Sequence, residues 1–121
     1  MLMVRARARD VLYLPGGKVD PHESDVEGVI REAFEETGLR LTETDLEPFG
    51  RVLEPAHGQA PGTMVAMALF LVRPGGTSDS ASPVASAEVD EVEWVTSADA
   101  DRCPPAGRET LRRLVAADLI D

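Results

Sequence analysis

At 121 residues the chain is long enough for one buried core and too short for several. Its formal net charge of −10 argues against a nucleic-acid polymer as partner, because such binders carry a basic footprint. It holds no apolar run long enough for a bilayer and no secretory signal pattern, and its single cysteine, Cys103, allows no intrachain disulfide, all of which suits the cytoplasm.

Met1 to Ala8 alternates Leu2, Val4, Ala6 and Ala8 with Met3, Arg5 and Arg7, as a strand with one apolar and one partly basic side would. Asp10 marks a turn, and Val11 to Leu14 reads as a second short strand, ended by Pro15-Gly16-Gly17. Glycines between a strand and a helix let backbone N–H groups face an anion. A helix follows. Ser24 and Glu27 form a capping box at its start, and Gly38 supplies its stop. Val26, Val29, Ile30, Ala33 and Phe34 fall on one side of it.

Arg40 to Asp45 is a polar connection, Leu46 to Glu54 a strand, and Pro55 to Gly62 a turn-rich loop whose His57 and Gln59 could border a substrate. Thr63 to Arg73 is the most apolar segment and reads as a central strand. A long small-residue loop, Pro74 to Ser86, leads to a half-buried strand over Ala87 to Val95, with Trp94 expected in the core. Ser97 to Arg102 is a turn or short helix. Leu111, Leu114, Val115 and Leu119 place a C-terminal amphipathic helix within Pro105 to Ile120. There is no repeat and no linker, so residues 1–121 read as one domain.

The opposite side of the first helix carries the chemistry. Glu32, Glu35 and Glu36 are neighbours there at spacings of three and four residues. Like charges so placed repel, and helix energetics do not ask for them. A hard divalent cation such as Mg2+ removes the repulsion, and it takes oxygen ligands. Arg31 lies one turn from both Glu27 and Glu35 and can orient a carboxylate. Gly28, which costs roughly 1 kcal/mol against Ala inside a helix, is expected to leave room for a loop or a phosphate. Taken alone, a run such as Arg31 to Glu36 is an ordinary solvated face; the glycine loop and Glu23 in register make it a metal site.

The spacing of Gly17, Glu23, Arg31-Glu32-Ala33, Glu35-Glu36 and Gly38-Leu39 resembles the signature of the Nudix hydrolases, with Ala33 a mild departure where a bulkier aliphatic is usual. The resemblance implies an α/β fold, an α/β/α sandwich with a mixed β-sheet, here lacking the usual first strand. An uncovered edge of that kind makes a homodimer an expectation. It implies hydrolysis of a diphosphate linkage in a nucleoside diphosphate derivative, first of all a nucleoside triphosphate, oxidised ones included, with Mg2+ as cofactor or Mn2+ in its place. ADP-ribose, nucleotide sugars and dinucleoside polyphosphates are the other substrates it brings. By the same resemblance Glu32, Glu35 and Glu36 are metal ligands with the carbonyl of Gly17. Gly16, Gly17 and Lys18 meet phosphate, Arg31 orients a glutamate, and Glu23 ties loop to helix. The base is Glu32, Glu35 or a downstream acid, Glu88 before Glu91. His22 falls in the variable part of the signature and Cys103 in a loop, neither with an expected catalytic part. A nucleotide-binding sensor with little turnover is the reading from another class.

Overall fold

A computed structural model describes residues 1–6, 11–16, 19–73, 84–85 and 89–121. β1 (Leu2–Ala6) pairs antiparallel with β4 (Val89–Trp94), and β2 (Leu46–Pro55) pairs antiparallel with β3 (Met64–Val72). α1 (Asp25–Thr37) enters β2 through a 3-10 turn at Glu43–Asp45. A second 3-10 segment, Ser97–Arg102, leads to α2 (Pro105–Ala116).

The β2–β3 ribbon lies between the two helices. Leu69 and Phe70 are adjacent in β3 and so point to opposite faces. Leu69 packs with Val52 and with Ala106 of α2, while Phe70 packs against the cluster of Ala33, Leu41 and Leu46 that also receives Val26, Val29 and Ile30 of α1. A register shift between Pro48 and Arg51 lets one strand serve both layers. This helix–sheet–helix layering is the α/β sandwich expected. Both described ladders are antiparallel, and β2 is the described ladder partner of β3.

Four expectations need correction. The alternation read into β1 does not sort its side chains, since Met3 and Val4 are both buried. Met3 packs with Leu12, Val95, Cys103 and Leu111, so the strand is covered on two sides. The strand at Val11 to Leu14 shrinks to one bridge, in which Val4 and Tyr13 exchange N–H···O bonds of 2.7 and 2.6 Å. Leu12 N–H, on the opposite side of the segment, donates to the Arg102 carbonyl at 2.9 Å, and Pro15 has no N–H with which to continue the ladder. Trp94 is 68% exposed: it ends β4 opposite Leu2, at the rim rather than under a helix. α2 stops at Ala116, where Asp118 takes a left-handed φ of 59° and the Leu119 N–H bonds back to the Leu114 carbonyl at 2.9 Å. Leu111 and Leu114 are buried as expected, but Val115 and Leu119 are exposed.

Candidate active site

The loop and cap before α1 are built from local hydrogen bonds. Glu27 N–H donates to Ser24 Oγ at 3.1 Å and Ser24 N–H to Glu27 Oε1 at 2.9 Å, completing the capping box. Glu23 Oε1 accepts from Asp20 N–H at 2.9 Å. Gly38 ends the helix with φ 73°, its N–H on the Phe34 carbonyl. His22 turns the loop at φ 72° with its side chain exposed.

Arg31 ties this loop to the carboxylate face. Its Nε and Nη2 donate to Glu23 Oε2 and Oε1 at 2.9 and 3.0 Å, a bidentate pair, while Nη1 reaches Glu32 Oε1 at 2.8 Å and Glu35 Oε2 at 3.4 Å. The guanidinium holds the Glu23 carboxyl below its usual range and is itself kept firmly protonated by Glu23 and Glu32. Glu23 therefore joins loop to helix, as the sequence suggested. Gly28 is the other half of that junction. A Cβ there would stand 3.1 Å from Val19 Cγ2 and 3.3 Å from Glu23 Oε1, so the room it leaves is filled by the incoming loop.

Glu36 is the perturbed carboxylate. Burial pushes its carboxyl up to about 8, and the hydrogen bond and charge of Glu32 and the charge of Glu35 push the same way. The Gly16 N–H, donating to Glu36 Oε1 at 3.2 Å, pulls down. A half-buried acid beside two others is a site short of positive charge, which a hard divalent cation fits. Among the described residues no three acidic, histidine or cysteine side chains close into a ready cage. Mg2+ does not require one, because it keeps several waters and takes one or two carboxylates with substrate phosphate.

Glu32, Glu35 and Glu36 open on a cavity of about 850 Å³. His57 and Gln59 line it too, and its walls are mainly apolar, from Leu14, Val19, Val65, Met67 and Ala106 among others. The structure thus brings Gly16, Glu32, Glu35, Glu36, His57 and Gln59 to one cleft, with Arg31 behind. Gly17, Lys18 and Glu88 lie outside the described residues. Glu91 points elsewhere: it pairs with Arg5 at 2.6 Å and lines a separate cavity of about 340 Å³ with Arg102 and Asp101. Tyr13 also lines the main cleft. Phe34 is 44% exposed, with Arg40 stacked 4.6 Å from its ring centre. Sequence reading missed the walls from β3 and α2, which no local pattern announces, because they meet α1 only through the fold. Cys103 is buried, and burial raises its thiol, consistent with a packing residue.

Residues 1–117 match the family model described as the NUDIX domain. A stretch of 52 residues, 42% of this chain, is 42% identical to the asymmetrical bis(5'-nucleosyl)-tetraphosphatase of Mus musculus and spans 35% of that protein, about a third of its length. The MutT protein of Methanosarcina mazei Go1 superposes with a TM-score of 0.66 at 27% identity, covering 97% of this chain and 83% of the other. A bifunctional NMN adenylyltransferase/ADP ribose pyrophosphatase from Francisella tularensis, complexed with AMP and a Mn ion, has the same fold. It gives a TM-score of 0.68 at 22% identity over 96% of this chain and 37% of that one. No described helix is long and apolar enough to cross a membrane.

Proposed function

The chain belongs to the Nudix family, and on that premise we propose that it is a divalent-metal-dependent pyrophosphohydrolase acting on a nucleoside diphosphate derivative. The substrate proposed first is a nucleoside triphosphate, oxidised or not, cleaved to the monophosphate and pyrophosphate. The observation that carries this is the half-buried Glu36, held by the Gly16 N–H, beside Glu32 and Glu35 on the wall of a cleft of about 850 Å³. Three crowded acids at a substrate-sized cavity serve a cation better than they serve the fold.

Glu32, Glu35 and Glu36 would hold Mg2+, or Mn2+ in its place, with the carbonyl of Gly17. Bound divalent ions neutralise phosphoryl oxygens and make a water acidic enough to attack. The remaining work belongs to the chain. Arg31 fixes the Glu32 carboxylate through its 2.8 Å bond and anchors the loop through Glu23. The Gly16 N–H sets the direction of Glu36. Gly16, Gly17 and Lys18 meet phosphate. One of Glu32, Glu35 and Glu88 takes the proton of the attacking water. The chain works as one domain on a small nucleotide in the cytoplasm, and sedimentation at micromolar concentration tests whether two copies pair.

A second substrate, a dinucleoside polyphosphate, is favoured by the identity to the mouse tetraphosphatase. Mass spectrometry of a panel of nucleoside triphosphates, ADP-ribose, nucleotide sugars and dinucleoside polyphosphates, with and without Mg2+, reports both substrate and cleaved bond. Nucleotide binding without turnover of any of them would make the chain a sensor instead.

A further inference from the structure

Two sets of polar side chains line the cleft among apolar ones: the carboxylate face of α1, and His57 and Gln59 from the connection between β2 and β3. That connection is a built turn rather than a slack loop. Ala56 N–H bonds to the Thr63 carbonyl at 2.9 Å and Thr63 N–H to the Ala60 carbonyl at 3.0 Å. Gly58 and Gly62 take left-handed φ values of 71° and 87°, which a side chain would resist. Half-buried His57 and exposed Gln59 are thus carried by a hydrogen-bonded turn that lines the cleft.

The charge of the lining decides what can be accepted beside His57 and Gln59. Among the described residues that line the cavity none is lysine or arginine, and three are glutamates. A further phosphate placed there would meet the charge of these glutamates, and none of the described lining residues supplies a cation to offset it. A neutral group with hydrogen-bonding edges meets the opposite situation. Imidazole and carboxamide can each donate and accept, and Val65, Met67 and Leu14 offer apolar contact to a flat ring. Methionine adapts its shape to such a ring. We infer that His57 and Gln59 form the nucleobase-recognising part of the cleft and set which nucleotides the enzyme prefers. This rests on the nucleotide reading proposed above and adds the residues that read the base.

The test separates base from phosphate. The Kd values of AMP, GMP, CMP and UMP, and of ribose 5-phosphate, are measured by calorimetry in Mg2+ for the wild type, His57→Ala, Gln59→Ala and His57→Gln. Loss of one hydrogen bond predicts a Kd roughly three- to tenfold higher for the preferred monophosphate in either alanine variant. Ribose 5-phosphate should bind all four proteins equally, and His57→Gln should recover part of the loss. In turnover, KM for the matching substrate should move more than kcat. Equal weakening of ribose 5-phosphate and the nucleotides, or an unchanged order of the four bases in both alanine variants, overturns the inference. A wild type that turns nucleotides over while its variants discriminate as it does sinks this assignment alone. A wild type that neither binds nor cleaves any nucleotide sinks the functional reading and this one with it.

Discussion

α1 and α2 are close in length, 13 and 12 residues, but α1 carries several acids and one arginine outside its apolar stripe, and α2 one acid and several arginines. They treat those acids in opposite ways. In α2, Glu109 is gripped by Arg112 and by Arg113, the latter at 3.0 Å, and its carboxyl is held down at about 2. Arg113 also donates to the Arg51 carbonyl at 2.8 Å, which pins the helix to β2. In α1 one arginine serves Glu23, Glu32 and Glu35, while burial and its neighbours push Glu36 up to about 8. One helix pairs its acid within itself; the other leaves a deficit of positive charge facing a cavity. The lesson is that acidic content on a helix face says little about function until burial and the reach of the arginines are known.

Substitution at Glu36 breaks this contrast most sharply. Glu36→Gln should fold and lose Mg2+-dependent turnover by about two orders of magnitude or more, measured on the best substrate of the panel. Its stability should move the other way. The folded carboxyl has a raised pKa, so the metal-free wild type loses stability as pH rises from about 4.5 to about 8. The glutamine variant lacks that loss and should melt higher at pH 9 in chelator, whereas added Mg2+ should raise the midpoint of the wild type alone. Equal midpoints of the two proteins across that window would mean Glu36 is not under charge strain.

Arg31→Ala comes next. It frees Glu23 and Glu32 together, and turnover should fall about 10- to 100-fold, as when the partner that orients a ligand is removed. Lysine should rescue little, since it cannot make the bidentate pair. Gly28→Ala is subtler. Helix propensity favours alanine by up to about 1 kcal/mol, and contact with Val19 and Glu23 opposes it. The thermal midpoint should therefore change little while turnover drops less than in Arg31→Ala. Full activity would show that the loop tolerates displacement.

Glu109→Gln probes the satisfied helix. Its pair with Arg112 is exposed and that with Arg113 only part-buried, so the loss of stability should be small and should shrink in high salt. The folded carboxyl has a lowered pKa, so its contribution is present above about 4.5 and fades as pH falls toward about 2; wild type and variant should converge there. Turnover at neutral pH should not respond. Smallest of all is Trp94→Ala, expected within about 0.5 kcal/mol of wild type by denaturant titration because the ring is on the surface. A loss of about 3 kcal/mol, usual for a buried tryptophan, would return it to the core.

The helix that carries the site was legible residue by residue. Capping box, glycine stop, apolar stripe and the cluster of Glu32, Glu35 and Glu36 are all spacings within one turn or two, and local hydrogen bonds enforce them. The family signature was legible for the same reason. His57 and Gln59 are legible only as loop residues that could border a substrate, and nothing local puts them in one cavity with the acids of α1. Trp94 and β1 misled because alternation records which side chains are apolar, not which faces the fold will cover.

By itself the sequence determined the elements whose forces act over a few residues: α1 with its caps, the β2 and β3 strands, and the acids that want a cation. Tertiary structure decided which of those acids is most desolvated, that Gly28 admits a loop, that Glu91 serves an ion pair, and that the β2–β3 connection and the carboxylates line one cavity. The physical reason is range. Hydrogen bonds in caps and turns are set by neighbours in the chain, whereas desolvation and cavity shape depend on packing between segments distant in sequence.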